Sequence, residues 1–519
     1  MSRKQNVIRL YSGFADGAIA VKSEIEISQT SGIPNFDIIG LCDSSIRESR
    51  GRIRAAINAS GFVMPKGQIT VNISPAYMHK SGSAFDLAIA IGLLIVSNQL
   101  SLPTGTDIYA EGELSLDGKV KSTPGSAIRF RLLNNTNNLR IVFPLTETDS
   151  ARINSIEGYP VSTLKEAVET LSLPVFPSRK FILNNTENIF TPCEEDTDIS
   201  ILKGQEKTVR ALLIAAAGWH NLLLVGSPGA GKTLAGRILH SLLPPLYPEE
   251  IEEVYSVRNM YSDSNLLLSS QRPYRYIHQL IAPNKLICNG LNMSPGELLL
   301  ANRGILFADE LCEFSGRIID LLREPMEDNR INILKDGQTY TFNSNFIFIG
   351  ATNPCKCGMY MEPSHKCSCT PGARHRYLSK LSGPFLDRID LFSELHMIDE
   401  KALKNSVKNN SENKSPEYRK KVSEVWEICK ERYKAYPDKN NGTVIEDNLT
   451  ELFRVNSNAL ESAVKLSTIN GYSARGINRL LRVSRTIADL NNDKDVENKH
   501  VMEAQLYKNR IFNQWSKNK

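Results

Sequence analysis

Long apolar runs are what this 519-residue sequence most plainly lacks. The longest, Leu87 to Val96, is about half the roughly 20 residues that a bilayer span needs, so no membrane partner is expected. Met1 to Asn6 has no apolar core of the kind a secretory signal requires, and a cytoplasmic location is expected. Charge of one sign is scarce too. A net charge of +5 on a chain this long does not announce a nucleic-acid binder. Internal repeats and low-complexity tracts are missing. Of nine cysteines, four crowd between Cys355 and Cys369, a spacing that speaks for metal and against a secreted disulfide framework. What is present is ordinary: 41% hydrophobic and 23% charged residues, enough for three or four domains with proper cores.

One stretch organises the rest. Leu222 to Val225 is an apolar run of strand type, and Leu234 to Leu243 is a helical pattern. Between them lie Gly226, Ser227, Pro228, Gly229, Ala230, Gly231, Lys232 and Thr233, which fit G-x-x-x-x-G-K-[ST] in its strand–helix setting. Glycines let backbone N–H groups converge on phosphate, Lys232 can reach the β- and γ-phosphates, and the Thr233 hydroxyl can ligate Mg²⁺. A nucleoside triphosphate is the expected ligand. Gly304 to Ala308 is a buried-strand pattern that ends in Asp309 and Glu310. An Asp there suits Mg²⁺, and a following Glu suits polarising the attacking water, so hydrolysis is the expected reaction. Asn345 to Thr352 is a further buried strand, and it leads to Asn353, which can hydrogen-bond that water.

The first 175 residues mix strand patterns, such as Ile69 to Ile73, with helical ones over Ser44 to Ser60 and Ala84 to Ser97. Leu114 to Val120 predicts a hairpin with an Asp-Gly turn. Residues 176–198 turn to Pro, Asn, Thr and acidic types and are expected to be a linker. An ATPase core is expected over 199–398, interrupted by an insert at 244–295, and helices over 399–519. In the insert, basic and aromatic residues interleave at Arg272, Tyr274, Arg275 and His278. This suits phosphates and bases, and equally a solvated loop. Cys355, Cys357, Cys367 and Cys369 form a Cys-x-Cys, nine-residue, Cys-x-Cys pattern that fits a structural Zn²⁺, with free thiols as the alternative.

Three motifs carry a resemblance. They are Asn353-Pro354-Cys355-x-Cys357-Gly358, Ser382-Gly383-Pro384-x-Leu386-Asp387-Arg388-Ile389-Asp390, and Ser473-Ala474-Arg475 followed by Arg485 to Leu490. With the P-loop, they resemble the ComM/YifB family of magnesium-chelatase-like AAA+ ATPases over nearly the whole chain. The resemblance implies an α/β multidomain protein: a Lon-protease-like (ribosomal-protein-S5-like) α+β N-terminal domain, an AAA+ P-loop α/β core and a helical C-terminal lid. It implies ATP, with Gln205 in the segment lining the adenine pocket. Asn353 takes the sensor 1 role, Arg388 that of an arginine finger acting in trans, and Arg475 that of a sensor 2 arginine. It also implies a homo-hexameric ring on single-stranded or branched DNA, aided by recombinase proteins. Such a ring promotes branch migration and strand exchange in recombination during natural transformation. A chelatase- or chaperone-like motor acting on protein is the alternative, and an ATP-dependent protease a third. Against the protease, Ala84 and Ala127 stand where the peptidase Ser and Lys would be. The chain also departs from the family pattern in two places, at Arg272 to Gln279 and at Cys288-Asn289-Gly290, where a glycine-rich stretch is usual.

Overall fold

The computed structural model describes the chain outside residues 1–6, 17–18, 42, 77–79, 81, 134–138, 184–197, 203, 261–267, 289–293, 336–337, 363–365, 398–413, 435–438, 445–447 and 509–519. It divides into two compact units. The first comprises Met1–Phe190, Tyr247–Ser270 and Asn289–Pro295, and the second Thr191–Leu246, Gln271–Cys288 and Gly296–Lys519.

The first unit is built on strands β1 (Val7–Asp16), β2 (Ile19–Thr30), β3 (Asn35–Ile39), β4 (Gln68–Ser74), β5 (Asp107–Ala110), β8 (Leu139–Pro144), β9 (Glu157–Val161) and β10 (Arg179–Lys180). They form a mixed sheet in the order β10-β9-β8-β5-β1-β2-β4-β3. The predicted hairpin is present as β6 (Glu113–Leu114) and β7 (Val120–Lys121), with Asp117 accepting from the Lys119 amide at 3.3 Å. Helices α1 (Ser44–Ala59), α2 (Asp86–Val96), α3 (Ser126–Phe130), α4 (Thr148–Ile153) and α5 (Leu164–Ser172) accompany the sheet. The long apolar run is α2, buried from Asp86 to Leu94. It lies so close to the sheet that a Cβ on Gly92 would meet the Ile27 side chain at 2.4 Å and Leu10 at 2.7 Å. An all-round apolar helix is thus explained by core packing.

The first unit runs beyond residue 175. Strand β10 pairs with β9, and Phe176 and Phe181 pack against its cores, because exposed aromatic rings there would cost apolar burial. Part of the expected linker is therefore sheet edge, and 184–197 lie outside the described residues.

The second unit holds β11 (Leu222–Gly226), β12 (Tyr274–Ile277), β13 (Ile305–Ala308), β16 (Ile347–Thr352) and β17 (Leu391–Leu395), all parallel in the order β12-β13-β16-β11-β17. Strands β11, β13 and β16 are buried throughout, as a parallel sheet covered on both faces requires. The antiparallel pair β14 (Arg330–Lys335) and β15 (Gln338–Asn343) stands apart from this sheet. Helices α6 (Glu206–Gly218) and α7 (Lys232–Leu242) flank β11 in sequence. Helices Ser415–Arg432, Ser457–Asn470, Ala474–Leu490 and Asn498–Leu506 make up the C-terminal part. Trp426 of Ser415–Arg432 meets Trp219 at the end of α6 edge-on, ring centroids 5.6 Å apart.

The insert at 244–295 is not one piece. Helix α8 (Pro248–Asn259) belongs to the first unit, whereas β12 is an edge strand of the five-stranded parallel sheet. The alternating Tyr274-Arg275-Tyr276-Ile277 is strand-forming sequence, and it pairs in register with β13 from Tyr274–Ile305 to Ile277–Ala308.

Candidate nucleotide site

In a parallel sheet all strands end at one edge, and ligands bind there. Strands β11, β13 and β16 accordingly bring the P-loop, Asp309–Glu310 and Asn353 together. Gly231 caps α7 with φ 92°, a left-handed turn that a side chain disfavours. Lys232 is buried, and its ammonium donates to Gly226 O (2.7 Å), Ser227 O (2.9 Å) and Asn353 Oδ1 (3.0 Å). Burial lowers its pKa, while the charges of Asp309 and Glu310 push the other way. Thr233 Oγ1 donates to Asp309 Oδ2 at 3.0 Å, so the two oxygens suited to Mg²⁺ already share one spot. Glu310 follows in a left-handed conformation, φ 52°, with its amide on Asp309 Oδ1 at 2.9 Å and its side chain exposed. That strained backbone aims a carboxylate out beside the metal-suited oxygens.

Gln205 is buried and donates to Ala230 O (3.2 Å) and His396 O (3.3 Å), bracing the P-loop from behind. Tyr276 was not singled out in the sequence. It hydrogen-bonds Asp309, and burial followed by the charges of Asp309 and Glu310 raises its phenol pKa. The i, i+2 spacing of Tyr274 and Tyr276 on one face of a strand was the available signal, since both rings stack on Phe307.

Arg388 and Arg475 lie at the other end of the sheet. The Arg388 carbonyl accepts from Asn221, the residue before β11, whereas the P-loop follows β11. Arg388 is tied down: Nε donates to Arg323 O (2.8 Å), Nη1 to Pro384 O (2.6 Å) and Nη2 to Glu327, leaving 13% of its side chain exposed. Arg475 reaches the same Glu327 at 3.0 Å but keeps 72% of its side chain exposed. In this structure Arg475 is thus paired with Glu327 and not with any residue of the P-loop. A β11 strand about 13–17 Å long separates the two groups. Arg388, Arg475, Arg479 and Arg482 line a cavity of about 230 Å³ with Glu327 and Asp390, four guanidiniums against two carboxylates.

Residues 198–403 match the family described as magnesium chelatase, subunit ChlI; residues 25–147 match subunit ChlI of Mg-chelatase, and residues 412–508 the ChlI C-terminal family. Over 501 residues the chain is 32% identical to competence protein ComM of Haemophilus influenzae, covering 96% of this chain and 97% of that protein. The chain belongs to the ComM/YifB magnesium-chelatase-like AAA+ family. Protein YifB of Escherichia coli is 32% identical over 95% of both chains. The magnesium-chelatase 38 kDa subunit of Cereibacter sphaeroides is 27% identical over 173 residues, 30% of this chain and 52% of that one.

In this member of the ComM/YifB family the four cysteines converge. The Sγ atoms of Cys355, Cys357, Cys367 and Cys369 all lie within 4.8 Å of one another, with Cys355–Cys357 at 3.3 Å and Cys355–Cys367 at 3.7 Å. Tetrahedral Zn–S bonds of ~2.3 Å put sulfurs about 3.8 Å apart, so the donor set fits that ion. The Met359 amide, ahead of the opposing cost of burial, holds the Cys357 thiol well below the usual thiol range. The same loop abuts the P-loop. Gly358 has φ 80°, and a Cβ on it would lie 2.5 Å from Pro228 Cδ.

The insert residues expected to face DNA differ in exposure, and Arg272 among them is buried. Arg272, 3% exposed, donates to Pro244 O (2.7 Å), Pro245 O (3.3 Å) and Arg303 O (2.9 Å), with its guanidinium over the Trp426 and Trp219 rings. A surface phosphate contact by Arg272 is thereby excluded, since its donors satisfy buried carbonyls that would otherwise be unpaired. Tyr274 packs on Phe307, Arg275 forks onto Glu297 at 2.7 and 2.9 Å with 40% of its side chain still exposed, and His278 is exposed. In the first unit Ala84 and Ala127 are buried. Ser83 donates to Glu113, and the buried Lys80 donates to Gly40 O (3.0 Å) and Pro75 O (2.5 Å).

Proposed function

We propose that this chain is an ATP-hydrolysing motor that works as a homo-hexameric ring on single-stranded or branched DNA, driving branch migration and strand exchange. The observation that carries the hydrolysis reading is the convergence of Lys232, Thr233, Asp309, Glu310 and Asn353 at one sheet edge. Mg²⁺, held by Thr233 and Asp309, would neutralise developing charge on the phosphates. Lys232 leaves its loop carbonyls for the γ-phosphate, the P-loop amides cradle the β-phosphate, and Glu310 and Asn353 orient the water.

The ring reading rests on the opposite end. Arg388 and Arg475 cannot serve this chain's P-loop, so the phosphate they suit is one bound by a neighbour. The DNA track rests on the likeness to a competence protein, which also favours a role in natural transformation; recombinase partners rest on the family resemblance alone. Similarity to a magnesium-chelatase subunit favours the second reading, a motor acting on protein. ATP hydrolysis measured with and without single-stranded or forked DNA decides between them. Severalfold stimulation is expected, and a rate indifferent to DNA at every salt concentration overturns the DNA track. The four cysteines would hold a structural Zn²⁺, which would fix the loop behind Asn353.

A further inference from the structure

The cation-rich cavity lies wholly within the second unit, and its charges do not balance there. Arg475, Arg479 and Arg482 stand at i, i+4 and i+7 on the Ala474–Leu490 helix, so one helix face carries all three guanidiniums. Like charges at that spacing repel, and only nearby carboxylates offset them. Glu327 is already taken, by Arg388 and by Arg475 at 3.0 Å. Asp390 is divided too. Its Oδ2 accepts from the Asn221 amide at 3.1 Å and lies 3.6 Å from His220 Nδ1, and the buried Lys508 adds its charge nearby.

Arg479 and Arg482 are what remains. Arg479, with 12% of its side chain exposed, reaches Asp390 Oδ1 only at 3.9 Å. Arg482 donates to the Gly442 carbonyl at 3.4 Å and pairs with no carboxylate among the described residues. Arg479 Nη1 and Arg482 Nε are buried donors with no partner. Burial, the larger influence, lowers the pKa of both guanidiniums, and the charge of Asp390 works against it. A buried guanidinium without a counter-charge is costly, because its lost hydration is not replaced. Four guanidiniums against two carboxylates leave two positive charges over, which one phosphate dianion matches. The cavity of about 230 Å³ is smaller than the roughly 300 Å³ at which pockets for drug-sized ligands begin, so it suits a small anion better than a whole nucleotide.

We infer that Arg479 and Arg482 form a phosphate-class oxyanion site, complete within one chain, that takes inorganic phosphate or diphosphate from solution. The site does not rest on the ring reading, which uses Arg388 and Arg475 and leaves these two arginines without a role. An anion held there joins the Ala474–Leu490 helix to Arg388, which lines the same cavity. Hydrolysis as proposed above releases such an anion.

Thermal unfolding and calorimetric titration of full-length Lys232→Ala protein, whose P-loop has lost its phosphate lysine, test the site. The probes are inorganic phosphate and diphosphate, each against chloride at matched ionic strength. Phosphate is expected to raise the melting temperature by about 2 °C and to give a binding heat, and chloride to do neither. In Lys232→Ala/Arg479→Gln and Lys232→Ala/Arg482→Gln, phosphate affinity should fall by roughly tenfold or more. Melting in chloride should hold or rise in both, because an unpaired buried charge has gone. Should one of the two not fold, the other gives the same readout. Arginines that only brace the helix would instead lower melting in chloride when replaced. That result in both variants, failure of both to fold, a phosphate response no larger than that of chloride, or one that survives both substitutions overturns the inference. Each of these leaves the ATPase reading standing.

Discussion

The two ends of the five-stranded sheet are built on opposite economies of charge. At the strand C-termini, each polar group already has a partner: the Lys232 ammonium donates to three neutral oxygens, and the Thr233 hydroxyl to Asp309. At the strand N-termini, four guanidiniums face two carboxylates around a cavity. The first end is complete and needs only its ligand. The second has cation to spare, and Glu327 alone is shared between Arg388 and Arg475. The difference is what the proposed ring would use: under that reading one chain carries two halves of a site, each to be completed by a neighbour.

The largest expected effect comes from the cation-rich end. Arg475→Ala should lower turnover of assembled protein by on the order of 10³-fold, the scale of an arginine finger, and leave thermal stability unchanged. Arg388→Ala should do both kinds of harm, because a largely buried side chain with three partners is removed and Glu327 loses one of its two arginines. Mixing Arg475→Ala with Lys232→Ala protein should restore part of the activity that neither has alone. If the mixture is dead, or Arg475→Ala hydrolyses ATP like the parent, the two ends do not form one site. At the matched end, Glu310→Gln should retain nucleotide and lose on the order of 10²-fold in turnover, through loss of water orientation. Undiminished hydrolysis would remove Glu310 from the mechanism.

A smaller effect should come from the cysteine loop. Protein purified without chelator should contain about one Zn²⁺ per chain, and stripping it should weaken nucleotide binding by about tenfold, a ~1.4 kcal/mol loss. The reason is contact between Gly358 and Pro228 of the P-loop. Metal-free protein with unchanged ATP affinity would show that the loop stands without an ion.

What the sequence disclosed followed the reach of each signal. The P-loop and the buried strands before Asp309 and Asn353 are local patterns, and each is found where the pattern puts it. The ten-residue apolar run was legible as too short for a membrane, and the structure supplies its reason in α2. Partners distant in sequence were not legible. Nothing near Arg388 announces Glu327, 61 residues earlier, and nothing near Arg272 announces two tryptophans. Arg272 looked like a surface cation because basic and aromatic residues alternate around it. The same alternation is what an edge strand beside a core writes into a sequence. The division of the insert between two units was beyond any local pattern, since α8 is held by contacts with residues over a hundred positions away.

The tryptophan pair has a practical side. Of the three tryptophans in the chain, Trp515 lies outside the described residues, while Trp219 and Trp426 touch each other and the Arg272 guanidinium. Both indole N–H groups are committed, to Asn345 Oδ1 at 2.7 Å and to Ala216 O at 3.0 Å. An indole that is dry, set edge-on against another and beside a cation emits differently from one in water. The intrinsic fluorescence of this protein is thus a label placed by nature where the Ser415–Arg432 helix meets the ATPase core. Any change of nucleotide that shifts that helix writes itself into the emission spectrum, with no dye attached.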